Sequence, residues 1–245
     1  MSHNNLEDFD LGKLFTAISH WKLLNHLELG YSSIREFTLE DFKEDMVTKR
    51  LQHLGLSGNV LCLKGALELS KLLIHMTVLK YLDLSQNNSG DKGAEEACKA
   101  MQGSRHLRQL NLSCNGMKAG GMKKLGSIIK TMKFLEYLDL SDNEIGDDGI
   151  RKFSRELGDM SSLRHLNLHN ISISDDGIYQ VTENMKIFDN LNHLDLSGNE
   201  IGDFGAGNLS GWFTHLRHLK LLNLSNNKIE NIGAKHFMES LMENT

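Results

Sequence analysis

Residues 135–149 read Leu135-Glu-Tyr-Leu-Asp-Leu-Ser-Asp-Asn-Glu-Ile-Gly-Asp-Asp-Gly149, and residues 191–205 read Leu191-Asn-His-Leu-Asp-Leu-Ser-Gly-Asn-Glu-Ile-Gly-Asp-Phe-Gly205. Counted from the first leucine, both carry Leu at positions 1, 4 and 6, Asn at 9, Ile at 11, Asp at 13 and Gly at 15. The pattern opens at Leu24, Leu51, Leu79, Leu107, Leu135, Leu163, Leu191 and Leu219, with one step of 27 residues and six of 28. A unit of this length buries its apolar face only against a neighbour, so the copies must stack into a solenoid.

Positions 4 and 6 alternate with polar neighbours, which predicts a short strand with these leucines turned inward. Position 9 is Asn59, Asn87, Asn115, Asn143, Asn199 and Asn227, broken by Ser32 and Ile171. An inward amide both donates and accepts, so these side chains are expected to bridge adjacent turns as a structural ladder. Position 13 is Asp91, Asp147, Asp175, Asp203 or Asn231 in five copies, residue types that suit helix N-caps. Glycine recurs at position 15 from Gly65 to Gly233, which suggests a tight approach to the sheet. Apolar residues at positions 16, 19 and 23, such as Ile150, Phe153 and Leu157, then mark one face of a helix of about ten residues. Strands joined by helices in this way run parallel with right-handed crossovers. Strands stand about 4.8 Å apart and helices about 10 Å, so the helices splay outward and the sheet lines a concave face.

Residues 24–245 therefore form eight repeats. Residues 1–23 fit the helix half of a further unit, with Asn4, Leu6 and Asp8 at positions 9, 11 and 13 and Leu11, Leu14 and Ile18 at 16, 19 and 23. This half-repeat is expected to mark a truncation point in a longer protein. The first full repeat is also irregular: Arg35-Glu-Phe-Thr-Leu-Glu-Asp-Phe-Lys-Glu replaces the usual loop.

The bulk numbers exclude several classes. Hydrophobic residues are 40% and the 22 glycines raise the apolar share to about 49%, an ordinary globular composition, and the net charge of −5 with scattered basic residues argues against nucleic-acid binding. No apolar run approaches the ~18 residues of a membrane span. Cys62, Cys98 and Cys114 are odd in number and unclustered, so they form no disulfide framework. Asn87, Asn111 and Asn223 lie in N-x-S on or beside the strands, where a glycan would obstruct the stack. A reducing, cytoplasmic setting is expected.

The unit L-x-x-L-x-L-S-x-N-x-I-x-D-x-G resembles the ribonuclease-inhibitor class of leucine-rich repeats. That resemblance implies an α/β leucine-rich-repeat solenoid, a horseshoe with a parallel β-sheet on the concave face and α-helices on the convex face. Its cysteine-poor Leu/Asn style looks most like the C-terminal repeats of NLR innate immune receptors, which act in inflammasome signalling. The resemblance implies a ligand-sensing and autoinhibitory region whose partner is a microbial ligand or another domain of the same receptor. A stand-alone inhibitor or scaffold of the ribonuclease-inhibitor type is the alternative. A Ran-type GTPase activator fits less well, because the acidic tail of that group is absent after Thr245.

Positions 3, 5 and 7 of each strand face the concave side. The candidate partner-binding residues there are His53, Tyr81, Asp83, Tyr137, Asp139, His165, His169, His193 and Asp195. Exposed tyrosines make good anchors, which favours Tyr81 and Tyr137. His165 neighbours His193 and His26 neighbours His53, yet His165 and His169 stand about 13 Å apart at ~3.3 Å per residue. One ion held at ~2 Å from each ligand cannot join those two, so no metal is expected. No nucleophile elbow, phosphate loop or metalloprotease motif is present, so neither a catalytic residue nor a cofactor is expected.

Overall fold

The computed structural model describes residues 2–4, 11–18, 21–35, 49–158, 160–184, 188, 190–213 and 215–243. Its elements, in chain order, are α1 (Leu11–Ile18), β1 (His26–Glu28), β2 (His53–Gly55), α2 (Cys62–Leu73), β3 (Tyr81–Asp83), α3 (Gly90–Ala100), β4 (Gln109–Asn111), α4 (Met122–Ile129), β5 (Tyr137–Asp139), α5 (Gly146–Leu157), β6 (His165–Asn167), α6 (Asp175–Asn184), β7 (His193–Asp195), α7 (Asp203–Phe213), β8 (Leu221–Asn223) and α8 (Asn231–Glu243). The strands form one parallel sheet in sequence order from β1 to β8. Each strand occupies positions 3–5 of its unit and pairs in register with the next, as in Tyr137↔His165 and Leu138↔Leu166. Irregular loop residues 36–44 and the half-repeat residues Leu6 and Asp8 lie outside the described residues.

The leucine triads do what their spacing requires. Leu79, Leu82 and Leu84, and Leu135, Leu138 and Leu140, are buried between sheet and helices. Phe153 and Leu157 of α5 close the same core from the helix side. At β8, which has only β7 beside it, Leu222 and the Leu224 that follows the strand are half-buried.

A turn follows every strand. Position 8 has positive φ in all eight units, through Tyr31, Gly58, Gln86, Cys114, Asp142, Asn170, Gly198 and Asn226. Five of these eight are Gly, Asn or Asp, the residues that enter the left-handed region at least cost. The backbone ladder continues through the turn: Asp142 N donates to His169 O at 3.0 Å and Gly198 N to Ser225 O at 2.9 Å.

The position-9 amides knit the turns together. Asn143 Nδ2 donates to Leu112 O of the preceding unit (3.2 Å) and to Leu140 O (2.9 Å) of its own. Its Oδ1 accepts from Asn115 N and Met117 N, both at 3.0 Å. Asn199 repeats the pattern with Leu168 O, Leu196 O, Ile171 N and Ile173 N. Each amide thus satisfies buried backbone groups that a closed turn leaves unpaired.

Positions 13 and 15 differ from their sequence reading. Asp91 accepts from Lys118 N (2.7 Å) and Gly121 N (3.0 Å), at positions 12 and 15 of the next unit. Asp203 likewise takes Glu230 N and Gly233 N, and Asp175 takes Gly202 N. These aspartates cap the helix entry of the following repeat. The glycine approaches that aspartate, not the sheet: a Cβ on Gly177 would stand 2.3 Å from Asp147 Oδ1, and one on Gly205 2.5 Å from Asp175 Oδ1. The pairing is between neighbouring units, which is why Gly149 lies against the Cα of Ala119, where its predecessor has no aspartate.

Candidate interaction surface

In-register parallel strands convert position 3 into a row of adjacent side chains. His26 stacks on His53 with ring centroids 3.7 Å apart, and His53 on Tyr81 at 3.9 Å. Gln109 interrupts the row, and a second stack follows: Tyr137 tilts against His165 at 6.0 Å, and His165 stacks on His193 at 4.3 Å. Tyr81, Tyr137, His165 and His193 are half-buried. Stacking occupies ring faces of Tyr81, His165 and His193, whereas Tyr137 is tilted and not face-stacked.

The two tyrosine hydroxyls are held by the next carboxylate along their own strand. Tyr81 Oη donates to Asp83 Oδ2 at 3.3 Å, and Tyr137 Oη to Asp139 Oδ2 at 3.0 Å. Burial, reinforced by the Asp83 carboxylate, pushes the Tyr81 phenol up to about 12. Burial and Asp139 push Tyr137 upward as well. Burial, with the neighbouring His193 and Arg164, lowers the pKa of His165 and favours its neutral form.

The position-5 carboxylates are built into the strand ends. Asp139 is buried, and its Oδ1 accepts from Ser141 N and Ser141 Oγ at 2.9 and 2.7 Å. Asn167 Nδ2 donates to Asp139 Oδ2, and Asn223 Nδ2 to Asp195 Oδ2, each at 2.9 Å. An Asp followed by an Asn in the next unit is thus an acceptor matched to a donor, which avoids stacking like charges. For Asp195, burial would raise the pKa, but hydrogen bonds from the hydroxyl and N–H of Ser197 and from Asn223 outweigh it and hold the carboxylate below the usual range. Asp195 thus keeps its negative charge while its oxygens are partly occupied.

His169, at position 7, places Nδ1 2.9 Å from both Ser197 O and Ser197 Oγ. A carbonyl only accepts, so Nδ1 carries the proton. It therefore cannot take a proton from the Ser197 hydroxyl, which Asp195 already engages at 2.5 Å. The trio Ser197, His169 and Asp195 is a structural network, not a nucleophile with its base.

One grouping escaped the sequence reading. His26, Glu28 and His53 offer ligand atoms that all lie within 4.8 Å of one another. The signal was present in column 5, where Glu28 and then Gly55 replace the usual Asp or Asn. On the rim, the Arg108 guanidinium lies 5.0 Å over the Phe134 ring and 3.4 Å from Glu136.

Sequence models of leucine-rich repeats match residues 189–237, as two copies, and residues 75–96, 103–126 and 131–154. The chain is a leucine-rich-repeat solenoid. A solved structure of the leiomodin-1 actin-binding site 2 is similar in fold, with a TM-score of 0.51 and 13% identity over 62% of this chain and 87% of that one. At that identity the likeness speaks for the fold alone. A comparison with curated proteins finds no match. Leucine-rich-repeat domains are generally non-enzymatic protein-interaction modules. No helix among the described residues is long and apolar enough to cross a membrane.

Proposed function

We propose that this solenoid holds a protein partner on its concave face and serves as the sensing and autoinhibitory region of an NLR-type immune receptor. The observation that carries partner binding is the pair of ring rows beside the position-5 carboxylates: His26–His53–Tyr81, stacked throughout, and Tyr137–His165–His193, in which Tyr137 is tilted against the stacked histidines. Rigid, pre-stacked rings lose little conformational freedom on binding, and the acidic column suits a partner with a basic surface. His53, Tyr81, Asp83, Tyr137, Asp139, His165, His169, His193 and Asp195 form the candidate contact set. Receptor membership is supported by the resemblance of the repeat consensus to the NLR type.

Two experiments test the levels separately. Partner binding is tested by affinity purification from source cells, followed by titration of the recovered partner against Tyr81→Ala, Tyr137→Ala and the convex-face control Phe204→Ala. Loss in the first two and retention in the third supports the concave face; loss only in the third sinks it. Receptor membership is tested by mass spectrometry of the native polypeptide, in which peptides of a nucleotide-binding domain joined to these repeats are expected. A native product of about the 27.6 kDa of this chain would instead leave a stand-alone inhibitor or scaffold.

A further inference from the structure

We propose that His26, Glu28 and His53 form a binding site for a late first-row divalent cation of the zinc type, at the β1–β2 end of the concave face. Among the described residues, this is the group of His, Cys, Asp and Glu side chains close enough to share an ion, with ligand atoms within 4.8 Å of one another. His26 Nε2 lies 3.6 Å from Glu28 Oε1, and His53 Nε2 is in close contact with the same oxygen. The two imidazoles are stacked 3.7 Å apart and within 8° of parallel. Ligands ~2.0–2.2 Å from a tetrahedral ion stand roughly 3.3–3.6 Å from each other, so these three converge on one ion once the exposed His26 ring tilts out of its parallel stack on His53, which brings the ion into the plane of each imidazole.

The regular strand register and two departures from the repeat build this group. The register His26↔His53 makes the two imidazoles direct neighbours on adjacent strands. Glutamate occurs in column 5 only at Glu28, and its extra methylene lets the carboxylate reach across to β2. Gly55 clears the path: a Cβ there would lie 1.9 Å from Glu28 Oε2. Tyr81, stacked 3.9 Å from the His53 ring, fixes that ring from its far side.

The second histidine pair is an internal control. His165 and His193 stack similarly at 4.3 Å, but the nearby Asp195 is engaged by Ser197 and Asn223, and the position equivalent to Glu28 is the uncharged Asn167. That pair lacks a carboxylate turned back toward its nitrogens. Two imidazoles and one carboxylate suit Zn2+ and its late-transition neighbours better than Mg2+ or Ca2+, which prefer oxygen. Three protein ligands leave one position of a tetrahedral ion for water or for a donor from a bound partner. The site stands on its own geometry, whatever the identity of that partner.

The test is calorimetric titration of the untagged, chelator-stripped full chain with ZnCl2, together with the visible absorption of its Co2+ form. Saturable binding of one Zn2+ per chain is expected, with tetrahedral Co2+ bands. Glu28→Gln, which keeps shape and removes charge, and His26→Ala, at an exposed position, should each weaken binding at least about tenfold. His165→Ala should leave it unchanged, and circular dichroism confirms that each variant is folded. The proposal is overturned if the native chain shows no saturable binding, if Glu28→Gln and His26→Ala bind like it, or if His165→Ala abolishes binding.

Discussion

Replacing Asn143 with alanine tests the idea that the inter-turn amide ladder, and not leucine burial alone, holds the stack together. The Asn143 amide accepts from two backbone N–H groups at 3.0 Å, those of Asn115 and Met117. It donates to Leu112 O, Leu140 O and Ser141 O at 2.9–3.2 Å. Asn143 is 3% exposed, so water cannot readily replace these partners. Stranding a buried N–H costs about 1–2 kcal/mol, and the carbonyls lose a smaller amount, which gives about 3–5 kcal/mol for Asn143→Ala. Asn227 makes analogous bonds to Leu196 O and Leu224 O but is half-buried in the last unit. Asn227 also accepts from Ile201 N at 3.1 Å, but water can enter there, so Asn227→Ala should lose about 1–2 kcal/mol. Urea unfolding followed by far-ultraviolet circular dichroism measures both, with midpoints compared at an unchanged slope. A loss under about 1 kcal/mol for Asn143→Ala, or equal losses for the two variants, would mean that buried backbone satisfaction does not limit the stability of the stack.

The Asp–Gly contact between units predicts that Gly205→Ala lowers the melting temperature, because the new methyl would meet Asp175 Oδ1 at 2.5 Å and Ile201 Cγ2 at 2.7 Å; overpacking of this kind costs about 1–3 kcal/mol. By contrast, Gly211→Ala on α7 has open space around the new methyl and should raise stability by about 0.5–1 kcal/mol, so equal melting shifts would contradict the assignment. Glu95 on α3 is paired with Lys99 at 2.6 Å and with Lys124; burial would raise its pKa, but hydrogen bonds from Lys124 and Lys99 outweigh this and hold it at about 2. A depressed carboxylate stabilises the fold above its ordinary value of 4.5 and loses that contribution as pH falls toward 2, so Glu95→Gln should flatten the acid-side fall in melting temperature across that window. If native and variant profiles run parallel there, the pairing contributes nothing.

Periodicity alone dictates the repeat, the strand positions and the identity of the core. Stacked copies of one short unit have a single way to bury Leu at positions 1, 4 and 6 and to pair their strands in register. It also placed the concave columns, since alternation along a strand decides which side chains face outward. What it did not carry was the partner of each polar side chain. The aspartates of position 13 have the composition of self-caps, yet Asp91 and Asp203 cap the next helix, because the bond spans two units and appears in no single copy of the pattern. Tyr81 and Tyr137 read as free anchors, but their hydroxyls are taken by Asp83 and Asp139 two residues along. The group His26, Glu28 and His53 depends on a carboxylate crossing a missing Cβ at Gly55. Residues 25 to 27 apart in sequence meet there only because the sheet sets their strands side by side, and periodicity has no record of a side chain that leaves its own row.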